Sequence, residues 1–296
     1  MSSFHVAGLG EVLWDVYPEG RYPGGAPANF CAHVAQYGMN SCLISRVGRD
    51  QAGEELISKV EKMSVETEPV QVDDVYPTGT VNVTLNADGV PSFTCTRDVA
   101  FDHLRWDDSL KTLATRLHGV LFGTLAQRNP VSRRTIQRCL EEMDAAVKLF
   151  DVNIRGWDNT VKETVLQSLH LCDCVKMNDD ELMTLKTALG ASAQNDIDFL
   201  DDFIHKFNLK LAAVTRGGDG CLLMTADDQI EHPGFRVNVV DTTGSGDAFA
   251  AGLMISMLER RSLADTAEFS NRLGAFVATR RGAVPAWALE ELESYE

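Results

Sequence analysis

The sequence is poor in positive charge. Lysine and arginine together number 27 while aspartate and glutamate number 43, so the formal net charge is −16. A surface of this charge repels polyanions, and nucleic acid and anionic membranes are therefore not expected as partners. An anionic small molecule could still bind, but only where the fold builds a local positive field.

Long apolar runs and cysteine clusters are also lacking. No run approaches the ~18 apolar residues of a membrane-spanning helix, and MSSFHVAGLGEVLWDVYPEG has no basic start typical of a signal peptide, so we expect a cytoplasmic protein. The seven cysteines include no CxxC pair, which argues against a zinc framework. They are expected to be small buried thiols, with Cys172 and Cys174 on one face of a strand.

Several common catalytic motifs are missing. The sequence has no Gly-Lys dipeptide and hence no P-loop, no Gly-x-Ser-x-Gly elbow and no His-Glu metal helix. Gly8 and Gly10 resemble the start of a dinucleotide fingerprint, but Leu13 stands where its third glycine belongs. The usual P-loop and dinucleotide sites are therefore excluded.

Strand and helix patterns alternate between about residues 116 and 282. Strand-like HGVLFG, VKLFDVN, CDCVKM and LKLAAVT alternate with helical PVSRRTIQRCLEEMDAA, NTVKETVLQSLHLC and NDDELMTLKTALG. Helix APANFCAHVAQYG and strand NSCLISRVG repeat this pattern in the N-terminal third, and Asp50 can cap the helix that follows. The alternation predicts an α/β fold with a mainly parallel sheet covered on both faces.

Residues 69 to 98 have a different character. They are rich in Val, Thr and turn residues, lack a helical period, and contain a hairpin signal at Asp88-Gly89. Together with residues 12 to 22 they predict a small antiparallel sheet that acts as a lid, although a plain edge extension of the main sheet is the alternative. We expect one domain over residues 1–296, and a homodimer could form through the exposed lid face.

The segment RVNVVDTTGSGDAFAAGL predicts a strand, a loop and a helix. Gly244 and Gly246 allow backbone N–H groups to converge, and the helix N-terminus adds partial positive charge. This predicts an anion site that needs no Lys or Arg. Asp247 lies on the first helical turn, which should lower its pKa and keep it ionised. It could then accept a proton from a hydroxyl that attacks phosphorus, or it could simply cap the helix.

DTTGSGDAF closely resembles the C-terminal signature of the PfkB (ribokinase-like) family of sugar kinases. Five further segments resemble motifs of that family in the family's order, namely GGAPAN, RVGRDQAGEEL, KMNDDEL, VTRGGDG and VATRRGAVPA. The resemblance covers nearly the whole chain. It implies a three-layer α/β/α fold with a β lid, ATP as a substrate, Mg²⁺ and K⁺ as cofactors, and Asp247 as the catalytic base.

The resemblance also implies roles for other residues. The backbone amides of Gly244, Ser245 and Gly246 would stabilise the transferring phosphoryl group. The sugar would contact Asp15, Gly24, Gly25 and Asn29, with Arg97, Gln127 and Arg155 as further candidates that could equally be surface side chains. The nucleotide would contact Asn178, Thr215, Gly217, Gly220 and Asn271, although Asn271 could instead face solvent.

The implied metal sites involve two segments near the C-terminus and one helix start. Glu181, with Asn178, would position Mg²⁺ through water. The alternative is that Glu181 is one of the acidic residues that stabilise the N-terminus of a helix. Potassium would be held by Asp241, Thr243 and the carbonyl groups of Val277, Arg280 and Gly282. The family often has a hydroxyl residue where this chain has Ala286, so one potassium contact is missing.

The form GGAPAN, with GEVLWDVYP before it and DVNIR at residues 151 to 155, looks most like bacterial fructokinases. The resemblance thus implies phosphorylation of a primary hydroxyl of fructose. Two alternatives stay open. The substrate could be another small hydroxylated molecule, such as ribose, a keto-deoxy sugar acid or a nucleoside. The protein could also be a non-catalytic sugar or nucleotide sensor.

Overall fold

The computed structural model describes residues 4–85 and 91–293. Its strands are β1 (His5–Leu9), β2 (Leu13–Tyr17), β3 (Gly20–Gly24), β4 (Asn40–Ile44), β5 (Arg46–Gly48), β6 (Gln71–Asp73), β7 (Gly79–Leu85), β8 (Pro91–Cys95), β9 (Gly119–Gly123), β10 (Val147–Asp151), β11 (Cys174–Asn178), β12 (Leu211–Thr215), β13 (Cys221–Met224) and β14 (Gln229–His232). Its helices are α1 (Ala26–Tyr37), α2 (Gln51–Glu61), α3 (Asp108–Ala114), α4 (Pro130–Glu141), α5 (Asn159–Leu171), α6 (Asp179–Ala188), α7 (Asp196–Phe207), α8 (Ser245–Leu258), α9 (Leu263–Ala278) and α10 (Leu289–Glu293).

The main sheet has eight strands in the order β14-β13-β12-β11-β10-β9-β1-β4. The six strands from β12 to β4 are parallel, and β13 and β14 continue the sheet antiparallel. Parallel neighbours require crossover connections, which the intervening helices supply. The predicted α/β fold with a mainly parallel sheet is confirmed.

Two apolar layers cover the faces of this sheet. Along β9, Val120 and Phe122 pack into one buried cluster while Leu121 packs into the other. The first cluster includes residues of α3 to α7, and the second includes residues of α1, α2, α8 and α9. Because successive strand side chains point to opposite faces, each continuous apolar strand serves both layers. The result is a three-layer α/β/α architecture.

The lid is a separate four-stranded sheet in the order β3-β2-β7-β8. Strands β2, β7 and β8 fall within the two predicted segments, and β3 extends two residues beyond the first. The predicted antiparallel sheet is mixed, because β2 pairs with β7 in parallel while the other two pairings are antiparallel. Strand β6, also within the predicted segment, pairs with β5 instead and lies outside the lid. The predicted turn at Asp88-Gly89 lies outside the described residues.

The predicted strand RVNVV is not formed. Residues 233–239 have no regular structure, and the side chains of Val239 and Val240 are 61% and 57% exposed. Strands β13 and β14, which the sequence analysis did not predict, occupy that edge of the sheet instead. The outer strand at that edge is β14, and residues 236–240 do not pair with it, so apolar character alone does not make them a strand.

Two other local predictions require correction. Cys172 is the C-cap residue of α5 and belongs to one buried cluster, whereas Cys174 begins β11 and belongs to the other. The two thiols therefore do not share a strand face. Helix α7 was not predicted, although Asn195 caps it by accepting from the N–H of Asp198 at 2.9 Å.

Several helix ends were readable from sequence. Helix α1 carries proline in its first turn and ends at Gly38, whose φ of 99° lies in the left-handed region. Asp50 caps α2 by accepting from the N–H of Gly53 at 2.7 Å. These residues determine where α1 ends and where α2 begins. Strand β4 can therefore start two residues after Gly38.

The lid face that points away from the cavity is partly covered. Trp14 on β2 is 2% exposed and its indole N–H donates to the carbonyl of Ala52 on α2. On β7 and β8, the polar side chains of Asn82 and Thr94 are exposed. Homodimer formation through this face therefore stays a prediction. Over the residues that the structure covers, no helix is both long and apolar enough to cross a membrane.

Candidate active site

A cavity of about 520 Å³ lies between the lid and the carboxyl ends of the parallel strands. Open α/β sheets bind ligands at this edge, because loops from neighbouring strands meet there. The cavity is lined by Glu11, Leu13, Asp15, Tyr17, Gly25, Ala26, Asn29, Val81, Cys95, Leu125, Asp151, Asn153, Arg155, Lys176, Asn178, Thr215, Thr242, Thr243, Gly244, Gly246 and Asp247. Most of these side chains are polar, which suits a hydroxylated or anionic ligand.

The loop before α8 has a geometry that only glycine allows at its end. Gly244 is the N-cap of α8 with φ of 77°, and a side chain there would meet the carbonyl oxygen of Ala283 at 2.4 Å. Helix α8 then starts directly at the cavity, with its N-terminal N–H groups facing it. The predicted loop-to-helix turn is therefore formed, and anion binding by it stays a prediction.

The three amides of this loop are not equivalent. The N–H of Ser245 donates to the carbonyl of Thr242 at 3.2 Å. Among the described residues, no acceptor takes the N–H of Gly244 or of Gly246. The anion site therefore rests on these two glycine amides, and the Ser245 amide closes the turn that presents them.

Asp247 lies at the base of the cavity on the first turn of α8. Its Oδ2 accepts a hydrogen bond from the Asn29 side chain at 2.8 Å, which joins α1 to α8 at this point. Enclosure raises the pKa of Asp247 to about 7, with Asp151 adding to the rise and Asn29 opposing it. The expectation of a lowered pKa was wrong, because loss of solvent outweighs the helix N-terminus.

The lid contributes Asp15 to the cavity. Burial raises the pKa of its carboxyl to about 6, and Arg155 on the opposite side opposes that rise. A side chain on Gly24 would lie 2.1 Å from the Asp15 Oδ2, so glycine is required on the neighbouring strand β3. Asp15, Gly25 and Asn29 thus form one wall of the cavity, as predicted.

Glu11 lines the same wall and was not predicted. Gly25, the N-cap of α1, has no side chain, and no side chain caps the start of this helix. Burial raises the pKa of Glu11 to about 7, and Asp247 adds to the rise. Its Oε2 is buried without a partner among the described residues. The segment GEVLWD, of which Glu11 is the second residue, was noted in the sequence and carried the available signal.

Asp151, Asn153 and Lys176 also line the cavity and were missed as individual residues. Asn153 follows β10 with φ of 37°, a left-handed conformation that non-glycine residues seldom adopt outside functional loops. Lys176 forms an ion pair with Asp151 at 3.0 Å. The segments DVNIR and KMNDDEL were both noted in the sequence. Asp151 in the first and Lys176 in the second are charged residues within strands, which was the signal for a site at these positions.

Several predicted site residues do not line this cavity: Gly24, Gly217, Gly220 and Ser245 lie beside lining residues, and Arg97, Gln127 and Asn271 lie elsewhere. Gln127 is fully buried, and its amide donates to the Gly123 carbonyl and to the Ser168 hydroxyl at 2.9 Å each. Asn271 is 8% exposed, and its amide donates to the Ala267 carbonyl and to the Cys221 thiol. Arg97 is exposed and does not line the cavity. The side-chain amides of Gln127 and Asn271 are therefore part of the protein core, and Arg97, just after β8, faces solvent.

Asn178 and Glu181 form a reciprocal cap at the start of α6. The Asn178 side chain accepts from the N–H of Glu181, and Glu181 Oε2 accepts from the N–H of Asn178, each at 2.9 Å. The other oxygen of Glu181 accepts from the N–H of Ile154 at 2.8 Å. Glu181 therefore ties the loop carrying Asn153 and Arg155 to α6, while Asn178 lines the cavity.

Thr215 ends β12 and lines the cavity next to Asn178. Gly217 and Gly220 form the tight turn that follows, with φ of 54° and 82°. A side chain on Gly220 would lie 1.9 Å from the His232 carbonyl oxygen, so this turn must pack directly against β14. Of the residues predicted for a nucleotide on this turn, Thr215 lines the cavity and Gly217 and Gly220 follow it directly, so their role stays a prediction.

The segments predicted for potassium are adjacent. The Asp241 carboxylate accepts from the N–H groups of Thr243 and Gly282, each at 2.9 Å. Partial burial would raise the pKa of Asp241, but these N–H groups hold it below its ordinary value. The Val277 carbonyl accepts from the N–H of Arg280. Carboxylate and carbonyl oxygens of the kind hard cations prefer are thus brought together, and Ala286 has no side-chain oxygen to add.

Comparison with known proteins identifies the family. A model of the pfkB family of carbohydrate kinases matches residues 16–288. An uncharacterized sugar kinase of Pyrococcus horikoshii is 31% identical over 311 residues, covering 98% of this chain and 95% of the relative. Its crystal structure in complex with ATP has a TM-score of 0.82 at 29% identity and covers 98% of both chains.

Two fructokinases are also similar. Fructokinase-2 of Zea mays is 30% identical over 307 residues, covering 95% of this chain and 90% of the relative. A double mutant of the Vibrio cholerae fructokinase, crystallised with fructose, ADP and a potassium ion, has a TM-score of 0.83 at 25% identity, covering 99% of this chain and 98% of that one. The predicted ribokinase-like α/β fold is confirmed, and the chain belongs to the pfkB family of carbohydrate kinases: it is an enzyme that transfers a phosphoryl group to a sugar.

Proposed function

We propose that the protein is an ATP-dependent fructokinase in which Asp247 is the general base and the amides of Gly244 and Gly246 receive the transferring phosphoryl group. The observation that carries the proposal is a single cavity. It holds the Asp247 carboxyl, the open amides at the start of α8, and the Asp15 and Asn29 side chains. These are the parts that phosphoryl transfer to an alcohol needs.

In the proposed reaction, Asp15 and Asn29 hold sugar hydroxyls so that one primary hydroxyl points at Asp247. The Asp247 carboxylate takes the proton of that hydroxyl while the hydroxyl oxygen of the sugar bonds to the γ-phosphorus of ATP. The bond from this phosphorus to the β-phosphate oxygen breaks, and ADP leaves. A base with a pKa near the working pH is well suited to such a proton transfer.

The amides of Gly244 and Gly246 stabilise the charge that builds up on the phosphoryl oxygens. The turn at Gly217 and Gly220 and the Thr215 side chain line the proposed nucleotide side, with Asn178 between them and Asp247. Magnesium bound to the phosphates would neutralise negative charge there, and Asn178 and Glu181 are the residues proposed to hold its water shell. The lid excludes water when a sugar is bound.

A potassium ion would bind beside this loop, not in the cavity itself. The proposed ligands are Asp241, Thr243 and carbonyl groups of residues 277, 280 and 282. Their adjacency to Gly244 supports a role in fixing the shape of the anion site. Because Ala286 supplies no hydroxyl, potassium should bind more weakly than in a site with the full ligand set.

A substrate panel with ADP release as the readout tests the function. Fructose, ribose, a keto-deoxy sugar acid and a nucleoside are each supplied with ATP and Mg²⁺, with and without K⁺. Fructose should give the highest kcat/KM, and Asp247→Asn should abolish turnover with every sugar. A higher kcat/KM for ribose or the nucleoside would reject fructose as the substrate. Sugar binding without any ADP release would favour a sensor.

A further inference from the structure

Lys176 places a buried positive charge beside the anion site. Lys176 is the middle residue of β11, and it is 8% exposed. Its Nζ lies 3.1 and 3.0 Å from the two carboxylate oxygens of Asp151 on the neighbouring strand β10. A methyl group built on Gly246 would lie 3.2 Å from the same Nζ. The ammonium group is therefore adjacent to one of the two open amides.

The ammonium group stays charged in this position. Burial would lower the pKa of Lys176, but the carboxylates of Asp151 and Asp247 outweigh that effect and hold the pKa above its ordinary value. A lysine ammonium has three N–H donors. Two hydrogen bonds to Asp151 leave one donor, and the cavity is where that donor can find an acceptor.

The charges around the cavity make this cation distinctive. Asp15, Asp151 and Asp247 all line the cavity, whose only basic lining side chains among the described residues are Lys176 and Arg155. Arg155 is exposed, whereas Lys176 is buried next to Gly246. In a protein of net charge −16, a triphosphate needs a fixed cation where its terminal phosphate meets these carboxylates.

We propose that Lys176 is a further catalytic residue, whose ammonium donates a hydrogen bond to the phosphoryl group during transfer while Asp151 positions it. The proposal rests on the kinase function and on the amide site proposed above. Lys176 keeps its proton throughout, because Asp247 takes the proton of the sugar hydroxyl. The ammonium thus adds a fixed positive charge beside the backbone N–H groups of the anion site.

The competing explanation is that Lys176 only neutralises Asp151. A buried ion pair often has a structural role, and removal of one partner leaves an unpaired buried charge. Lys176→Met alone cannot separate these explanations, since it could unfold the protein. The double variant Lys176→Met/Asp151→Asn removes both charges together and leaves no unpaired charge in the core.

Kinetics of three variants test the proposal. Lys176→Met and the double variant should both lower kcat by about 10²- to 10³-fold, as expected for loss of one donor to the transition state. The matched control is Lys186→Met, since the Lys186 ammonium is also buried and pairs with Asp196 at 2.7 Å but lies outside the cavity. This control should change kcat less than twofold. Recovery of activity in the folded double variant would overturn the proposal.

Nucleotide affinity gives a second readout that needs no sugar. Isothermal titration of ADP and of a non-hydrolysable ATP analogue, each with Mg²⁺, compares ligands that differ in the terminal phosphate. The double variant should lose about tenfold in affinity for the ATP analogue while its affinity for ADP is kept. Equal losses for both ligands would overturn the proposal. Because this titration uses no sugar, it stands even if fructose proves not to be the substrate.

Discussion

The Asp247 carboxyl experiences two opposing influences. The N-terminus of α8 and the Asn29 amide favour its ionised form, whereas enclosure by the cavity and the nearby Asp151 carboxylate disfavour it. Enclosure is the larger effect and raises the pKa to about 7. A carboxylate that ionises near neutrality is a better proton acceptor than one with an ordinary pKa, so the same burial that destabilises the charge serves the proposed chemistry.

The pH dependence of activity should report this pKa. As the base, Asp247 must be deprotonated, so kcat/KM for the sugar should be constant above pH 8. It should fall about tenfold per pH unit well below pH 7, as the acid form accumulates. The measurement is kcat/KM from pH 5 to 9 at fixed ionic strength. An acid limb centred near pH 4 would contradict the raised pKa.

Removal of the Asn29 hydrogen bond tests whether the acid limb of the pH profile reports the pKa of Asp247. Asn29 lowers the pKa of Asp247, so Asn29→Ala should move the acid limb to higher pH. A change in KM alone, with the limb unmoved, would show that Asn29 contacts only the sugar.

Stability should respond to Asp247 in the opposite sense to activity. The folded-state pKa of about 7 lies above the ordinary value of 3.8, so this group's contribution to stability is fully present below about pH 4 and lost as pH rises through 7. Asp247→Asn should therefore raise Tm relative to the parent at pH 8, with a smaller difference at pH 5. Thermal unfolding followed by circular dichroism at both pH values measures this.

Asp241→Asn supplies the contrasting control for that experiment. Backbone N–H groups hold the pKa of Asp241 below its ordinary value, so its contribution is present near neutrality and lost in acid. This variant should lower Tm at pH 8. Lower Tm at pH 8 for both variants would mean that the Asp247 charge is not destabilising.

At the scale of elements, the junction of the Asp241–Gly244 loop with α8 determines the site. Gly244 is in a left-handed conformation against Ala283, and α8 packs so closely on α9 that a side chain on Gly252 would lie 2.7 Å from the Ser270 Cα. The small residues of α8 thus bring two helices together, and the segment after α9 in turn supports the loop. The backbone that forms the anion site is held from two sides.

Substitution of Gly244 should therefore affect activity more than stability alone would explain. Gly244→Ala places a methyl group 2.4 Å from the Ala283 carbonyl oxygen and disfavours the φ of 77°. The shift in the loop should lower kcat by about 10²-fold, the cost of losing one transition-state donor. Steady-state kinetics and chemical denaturation are measured together.

Gly38→Ala is the matched control, since Gly38 has φ of 99° and nothing within 4 Å of an added methyl group. It should cost about 1–2 kcal/mol of stability for the left-handed backbone and leave kcat unchanged. Equal kcat in the two variants would place the anion site elsewhere.

At the scale of the whole molecule, the cavity has two sides that belong to different sheets. Leu13, Asp15 and Tyr17 line it from lid strand β2, while Asp151 and Asn178 line it from the main sheet. A ligand that bonds to both sides must hold the lid against the main sheet. Because polar side chains line the cavity on both the lid and the main sheet, ligand binding should close the lid onto the main sheet.

Amide hydrogen exchange should detect this closure. Addition of sugar with a non-hydrolysable ATP analogue should slow exchange in β2 and β7, with little change in α4, none of whose residues lines the cavity. In Asp15→Ala the sugar-dependent part of this protection should be lost. Equal protection of α4 and the lid would indicate global stabilisation without closure.

Much of the fold was readable because its signals are local. Alternating strand and helix patterns predicted the parallel sheet, and Asp50 and Gly38 predicted helix ends that the structure confirms. The pattern failed at RVNVV, where Val239 and Val240 are exposed. Whether an apolar run becomes a strand depends on pairing with a sheet, and β13 and β14, just before it in the chain, form this edge while residues 236–240 stay unpaired.

The sequence by itself determined the chemistry available near α8, because a loop with two glycines followed by Asp247 specifies its own backbone. It could not determine which distant side chains face that loop. Only the tertiary structure brought Lys176 next to Gly246 and Asn29 onto Asp247, and turned Gln127 into the core. The tertiary structure also decides the pKa of Asp247. Burial in the assembled cavity raises this pKa and outweighs the effect of the helix N-terminus on which the residue lies.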